Sequence, residues 1–460
     1  MAKKKEKTLE EKLQEALVPE NQWPYMLPEN WCWTRLGKIT NVVGGGTPSS
    51  SKKEYYDNGT IPWLSPADLS GYSDIYISRG QKNITELGLS KSSARLMPKD
   101  TVLLSSRAPI GYVAIASNSI STNQGFKNFL PSDAFYSRFL YWYLKSSKSL
   151  LESYASGTTF LELSGSKASM VEFPLPPLPE QKRIVHRIES LFAKLDEAKE
   201  KIQQVLDGAE MRKAAILHKA FTGELTKNWR KENGISEDSW VEYTLQSVCT
   251  MKITDGTHKT PTYSDKENGV VFLSAKDITS GEINWENTKY ITSELHKELY
   301  SRLAPQINDI LLAKNGTTGV AALVKEDKVF DIYVTLALLR PNVEIVIPEY
   351  LLNIINSPLC KVQFNENLTG IGVPNLHLRD IKDVKIKVPS ISEQEIISDK
   401  VEMLLANEGM VTKNCLKQIE VIDTMKKSII AKAFRGELGT NNPTEDSALN
   451  LLKEVLQDKS

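Results

Sequence analysis

Apolar residues in the middle of this chain fall at Ile184, Ile188, Leu191, Leu195, Ala198, Ile202, Val205 and Ala209, alternately four and three residues apart, with charges between them. That spacing keeps the apolar side chains on one stripe of a helix, as in the seam of a coiled coil. The pattern predicts a single rod of about 39 residues, hence roughly 58 Å at 1.5 Å per residue. A stretch 213 residues further on repeats the seam at Ile397, Val401, Leu404, Val411, Cys415 and Ile422, with Glu408 and Gln418 interrupting it. On this reading Glu408→Leu is neutral or stabilising. A rod this long, polar on most faces, needs a partner helix, and its own repeat is the economical one. Further outward residues (Val185, Phe192, Ile216 and Leu217) exceed what one partner covers and predict additional subunits on the rods.

The rods belong to a larger repetition. Trp31-x4-Leu36 answers to Trp240-x4-Leu245, and Asp100 to Asp309, at an offset of 209. Gly157 pairs with Gly370, Pro176 with Pro389 and Glu180-Gln181 with Glu393-Gln394 at an offset of 213. Both copies close on Ala-Phe-x-Gly-Glu-Leu, beginning at Ala220 and Ala433. Matches in one order at near-constant offset mark a tandem duplication. Ahead of each rod, short β-rich runs (61–64, 101–104, 270–273, 310–313) alternate with Gly, Ser and Asn turns, and helical stretches follow at 135–151 and 348–360. The fold class is therefore α/β (α+β). Domains cover residues 28–175 and 240–388, rods cover 176–226 and 389–440, and 227–239 is a linker. Gly223 and Gly436 read as the glycines just past each rod. Thr8-x-x-Glu11 is a capping box opening a short helix within residues 1–27, and Leu449, Leu452 and Leu456 share one side of another within 441–460.

Composition narrows the function. With 460 residues, 40% hydrophobic and 25% charged, the chain is an ordinary globular protein of about three domain-sized units. No apolar run approaches the ~20 residues that cross a membrane. The basic start, Met1 to Lys5, runs into further charge rather than an apolar core, which predicts a cytoplasmic protein. Formal net charge is zero, yet residues 31–173 hold 15 Lys and Arg against 10 Asp and Glu, a balance of +5. Residues 240–388 hold 16 against 18, a balance of −2. A nucleic-acid reader needs only a local basic face. Cys32, Cys249, Cys360 and Cys415 stand singly and the histidines show no metal spacing, so neither disulfides nor a metal site is expected. No phosphate-binding loop, dinucleotide fingerprint or nucleophile elbow occurs. Pro176-Pro177 lacks the flanking Asn or Asp and aromatic of an amino-methyltransferase and is better read as a rigid stop before the rod. The chain carries no catalytic constellation.

Over residues 28–440 this set resembles the specificity subunit of Type I restriction-modification enzymes. Its strongest marks are Pro177-Leu178-Pro179-Glu180-Gln181 and the matching Val388 to Gln394, each followed by Ala-Phe-x-Gly-Glu-Leu. Gly46-Thr47-Pro48 and Ser121-Thr122-Asn123-Gln124-Gly125 also recur in the target-recognition domains of that family. The resemblance implies two tandem target-recognition domains, each reading half of a bipartite double-stranded DNA target. The rods would pair as an antiparallel coiled coil, acting as spacer and docking two methyltransferase (modification) subunits; restriction subunits would add translocation and cleavage. S-adenosylmethionine, ATP and Mg2+ are then expected on those partners and not on this chain, a non-catalytic subunit. Base readout draws on Arg, Lys, Asn and Gln of loops on one face, and phosphate contacts on Lys, Ser and Thr. That makes Thr47, Lys52, Lys53, Arg107, Asn123, Gln124 and Lys127 the DNA-binding candidates of the first domain. Lys259, Lys276, Lys314 and Asn315 are those of the second, where Thr257-His258 stands in place of Thr47-Pro48. The alternative is a coiled-coil interaction scaffold without a DNA role, which zero net charge favours and the paired motifs oppose.

Overall fold

Each copy opens and closes with strands that pair with one another. Cys32–Arg35 runs antiparallel to Glu172–Leu175, with Cys32 opposite Leu175. Val241–Thr244 runs antiparallel to Lys385–Val388, with Val241 opposite Val388. The two registers are the same once the repeat offsets are applied, so each domain is tied shut where its rod departs. The computed structural model describes residues 7–107, 109–157, 161–366 and 375–458; Gly370 and the basic start lie outside the described residues. The chain divides into two units, one made of Met1–Lys201 with Gln418–Ser460 and the other of Ile202–Lys417. Each unit therefore holds one domain and one end of each rod.

Inside the first domain, five strands lie in the order Val42–Gly44, Phe126–Phe129, Val102–Ser106, Ile110–Ala116, Tyr76–Ile77, and three more in the order Lys82–Ile84, Ile61–Leu64, Ser121–Thr122. The second domain keeps the shared order but with four strands in each sheet, Thr254–Asp255, Leu336–Leu339, Ile310–Ala313 and Ala321–Leu323 in one. Its other sheet runs Tyr263–Ser264, Lys289–Ile291, Val270–Leu273, Phe330–Ile332. Val102, Leu103 and Leu104, like Ile310, Leu311 and Leu312, are buried throughout, as expected of a central strand covered on both faces. The helical stretches expected late in each domain are each split. Ser137–Ser146 and Lys148–Tyr154 meet at Ser147, and Pro348–Ile355 gives way to Pro358–Glu366. In the second case Pro358 cannot donate to a preceding turn and opens a new helix instead.

The rods also depart from the expected single helices. The second is one helix, Ile391–Phe434, but the first is Leu178–Asp207 followed by Ala209–Phe221, with Gly208 between them. Glycine is the poorest helix former after proline, and the Arg212 guanidinium takes up the Val205 carbonyl at 2.8 Å. Within the first unit Lys199 pairs with Asp423 at 2.8 Å, and Asp196, one turn earlier, pairs with Lys426, later in its own helix. Within the second, Arg212 holds Glu408 at 2.5 Å, and the Leu225 carbonyl accepts from Lys400 at 2.9 Å. In both units the helices run antiparallel. Ile184 and Ile188 are buried in the apolar core of the first unit and Ile397 and Val401 in that of the second; Ile422 is buried as well, and Leu191, Leu195, Ile202 and Leu404 are half-buried.

Three expectations about the rods are corrected. Val205 and Val411 are exposed, while Leu206, Thr412 and Ile419 turn inward instead. A four-residue step in place of a three-residue one moves the stripe, as a stutter does. Glu408 is no flaw in the seam, because it accepts a forked pair of bonds from Arg212 Nε at 3.0 and 3.1 Å, a pairing that Glu408→Leu would remove. Val185 and Leu217 are not outward either, being packed into the cores of their own units, and Phe192 stacks on Trp142.

The flanking helices complete the first unit. Leu9–Ala16 begins at the Thr8–Glu11 capping box. It packs with Ala448–Asp458 in one apolar core containing Ala16, Leu452 and Leu456. Among the described residues no helix is long and apolar enough to cross a membrane.

Candidate nucleic-acid interface

In the first domain the candidate residues converge because a glycine run lets one loop lie against a strand end. A Cβ on Gly45 would sit 2.0 Å from the Asn123 carbonyl oxygen, and one on Gly46 would sit 2.2 Å from the Ala94 nitrogen. With no side chains in the way, the Gly46 amide donates to the Thr122 carbonyl at 2.9 Å. The next residue, Thr47, is exposed and hydrogen bonds through its hydroxyl to the exposed Gln124 amide. Tyr56 ties the short helix Lys53–Tyr55 to the same loop through the Pro48 carbonyl at 2.6 Å, so exposed Lys52 and Lys53 border it.

Behind this rim lies a charge cluster. Arg107 stands 4.0 Å and Lys127 3.9 Å from opposite oxygens of the Glu162 carboxylate. Lys127 is buried and also donates to Ser106 Oγ at 3.2 Å; burial pulls its ammonium below the usual lysine range, with Glu162 opposing that shift. Asn123 spends its side-chain oxygen on the Gly125 amide at 2.8 Å. Thr47, Lys52, Lys53, Gln124 and Arg107 thus reach solvent, whereas Asn123 and Lys127 shape the surface from within. Glu162 was missed from sequence. Its signal was weak: it lies in the repeated segment between Gly157 and Leu163.

The second domain rebuilds the turn with different chemistry. A Cβ on Gly256 would come within 1.9 Å of the Ile332 carbonyl oxygen, and Thr257 donates its amide to that oxygen at 3.1 Å. Lys314 is buried, its ammonium 2.6 Å from Asp255, which His258 also meets at 3.2 Å. Lys259 is exposed and paired with Glu298. Lys276 is exposed 3.9 Å from Asp277, and Asn315 bridges to Asn375. Close by, His296 holds Asp331 at 2.7 Å; burial pushes that carboxyl above the usual range and His296 opposes it. Sequence reasoning missed Asp255, His296 and Asp331, since no spacing announces a carboxylate that only the folded sheet brings to a lysine. The second surface is therefore largely self-neutralised, in keeping with its lower charge balance.

The repeated Glu-Gln fixes each surface to its rod. Gln181 donates to the Ala134 and Pro176 carbonyls, both at 3.0 Å, and accepts from the Tyr136 amide at 2.8 Å. Gln394 does the same with Ile345, Pro389 and Ile347, each at 2.9 Å. Glu180 accepts from the Trp31 indole at 2.7 Å, and Glu393 from the Trp240 indole at 3.2 Å. The copies differ in what completes each carboxylate. Glu393 faces buried Arg230 at 2.5 Å, while Glu180 has Asn441 at 3.0 Å. Accordingly burial pushes Glu180 above the usual carboxylate range, with the Trp31 and Asn441 hydrogen bonds opposing.

Comparison with known proteins agrees with this duplicated architecture. The family model for the Type I restriction modification DNA specificity domain matches residues 28–207 and 237–421. The MjaIX specificity subunit of Methanocaldococcus jannaschii is 31% identical over 90% of this chain and 94% of its own length. The EcoBI specificity subunit of Escherichia coli is 24% identical over 94% of this chain and 93% of its own. Among solved structures, the HsdS subunit from Thermoanaerobacter tengcongensis superposes with a TM-score of 0.60 at 18% identity, covering 91% of this chain and all of that one. A chain from a study of assembly and conformational transition in the type I R-M system reaches 0.65 at 19% identity, over 90% of this chain.

Proposed function

This chain belongs to the family of Type I restriction-modification specificity subunits, and from that premise we propose that its two domains read the two halves of one bipartite double-stranded DNA target. Recognition is assigned to residues 28–175 and 240–388, with 176–226 and 389–440 as the rods. The observation that supports this reading best is the duplicated Gly-Thr turn, packed in each domain against a strand end, beside exposed Gln124, Lys52 and Lys53 in the first and exposed His258 and Lys259 in the second. Thr47, Gln124 and Arg107 are the base-side and backbone contacts of the first half, flanked by Lys52 and Lys53 on phosphates. Lys259, Lys276, Asn315 and His258 serve the second half. Asn123, Lys127 and Lys314 act from behind by holding these loops.

The chain is the non-catalytic member of its assembly. S-adenosylmethionine belongs to two modification subunits, and ATP and Mg2+ to restriction subunits, all working in the cytoplasm. For docking, the second rod offers Met403 and Met410, two turns apart, and Val421 and Met425, one turn apart, all exposed. Flexible apolar side chains of this kind suit a partner surface. The test is DNA affinity as a function of salt, paired with methylation-site sequencing of a host with and without the gene. A steep loss of affinity with salt and loss of methylation at one bipartite site are expected. Affinity indifferent to salt, with methylation unchanged, would overturn the reading in favour of a scaffold.

A further inference from the structure

The two copies differ again where the late helix of each domain faces its rod. In the first unit, Arg138 and Trp142 lie two and six residues beyond Tyr136, whose amide Gln181 holds. Arg138 pairs with Glu189 at 2.8 Å, Trp142 donates to the same carboxylate at 3.2 Å, and its ring meets Phe192 edge-on at 5.2 Å. Lys426 covers the other side of Phe192 at 5.0 Å. The gap between domain and rods is closed by a cation and an aromatic ring.

In the second unit, the residues two and six beyond the clamped Ile347 are Glu349 and Asn353. They stand where the arginine and tryptophan would be, and the rod still carries Glu402 and Leu405 at the positions of Glu189 and Phe192. A carboxylate now shares the space of another carboxylate, and an amide that of an indole. The result is a cleft of about 1340 Å³, floored by Lys213, Leu217, Ser398 and Leu405 and walled by Glu349, Asn353 and Trp285 among others. Its volume exceeds the roughly 300–1,000 Å³ of a small-molecule pocket. Seven carboxylates line it against three lysines. Of these, Glu282, Glu349, Glu395, Asp399 and Glu402 have no ion-pair partner among the described residues. Ser398 is 8% exposed, and its hydroxyl lacks a hydrogen-bond partner.

Resting on the function proposed above, we infer that this cleft is the docking site for one modification subunit, through a segment that brings an arginine beside a large apolar or aromatic side chain. The occupant supplies what Arg138 and Trp142 supply in the first unit: a cation for the carboxylates and a ring for Leu405. Phosphates are repelled by the same carboxylates, so DNA is not the occupant. Continuity with the rods, which form the floor, favours a modification subunit over other partners. The two modification subunits are then held unequally, one by rod surface alone and one by rod and cleft together.

The test uses the full chain co-purified with the modification subunit, with stoichiometry and affinity read by native mass spectrometry and sedimentation. Glu349→Arg with Asn353→Trp rebuilds the first unit's closure, and Glu402→Lys, at an exposed position, guards against misfolding of the double variant. Wild type is expected to carry two modification subunits. Both variants should retain their melting profile and DNA affinity while the second modification subunit binds about tenfold or more weakly. Two subunits bound to either folded variant with unchanged affinity would overturn the cleft as the site. A wild-type chain that binds no modification subunit would instead overturn the proposed function, and the occupant with it.

Discussion

Two buried glutamates in equivalent positions respond oppositely to the same change. Glu393 lies against buried Arg230, so Glu393→Gln leaves a guanidinium inside the protein without its counter-charge. A loss of about 3–5 kcal/mol is expected, read as a lower midpoint in chemical denaturation. Glu180 has no such cation on it, and its carboxyl is held above the usual range. A group whose acid form is favoured by folding lowers stability as pH rises through its folded pKa, because the folded state then buries a charge. Glu180→Gln should therefore melt higher than wild type at neutral pH, and the difference should vanish as pH falls below the ordinary value of 4.5. Equal melting at neutral pH would show that Trp31 and Asn441 fully offset the burial. At the DNA surface, exposed Gln124 accepts from the Thr47 hydroxyl and keeps its amide NH2 for a base, while Asn123 is spent on the Gly125 amide. Gln124→Ala should relax one half-site by about 1–3 kcal/mol of discrimination without altering the melt, whereas Asn123→Ala should lower stability as well. Methylation-site sequencing and a thermal melt separate the two. The distinction was invisible in sequence, where both are polar loop residues; so was the burial of Lys127 and Lys314, which depends on carboxylates far off in the chain.

What the elements owe to sequence is uneven. Heptad spacing declared the rods, since burial of Ile184, Ile188, Ile397 and Val401 follows directly from their periodicity. It did not declare the interruption at Gly208, because a lone glycine in a periodic stretch is compatible with an unbroken helix, and the Arg212 side chain that takes up the Val205 carbonyl beside it is not marked by the periodicity. The seam predicts a graded response. Ile188→Ala, at a fully buried position, should cost about 2–5 kcal/mol. Val205→Ala, at an exposed one, should stay within about 0.5 kcal/mol. Equal losses by denaturant titration would mean that the stripe does not shift where the structure has it shift. The Glu-Gln pair was legible as a motif but not as a device, for its partners are backbone groups that no sequence pattern marks. Gln394→Leu removes two donors and one acceptor from buried carbonyls and an amide. It should destabilise the second unit by about 1–3 kcal/mol for each group left unpaired, with faster amide exchange at Ile347.

At the scale of the whole molecule, duplication was the most legible property and asymmetry between the copies the least. The closing register repeats, and so does the order of the strands the two domains share, with one strand added at a sheet edge in each copy, because apolar patterning and turn residues survive divergence. The charges around Asp255 and the cleft beside Glu349 do not repeat, and each depends on one or two substitutions whose meaning appears only with a neighbour in place. The first unit is assembled from two separated stretches, Met1–Lys201 and Gln418–Ser460, whereas the second is one uninterrupted stretch. On a ribosome this inverts the usual order of maturation. Residues up to Lys201 are made early, yet the helix carrying Ile430 and Phe434, which share one core with Ile184 and Ile188, is completed only much later, with the helix Ala448–Asp458 after it. At about 5–20 residues per second the early half waits roughly 10–50 s for its cover, while the later half can finish beforehand. A ribosome that stops short of Gln418 thus releases a product with its own unfinished apolar surface on display, the state on which chaperones and proteases act.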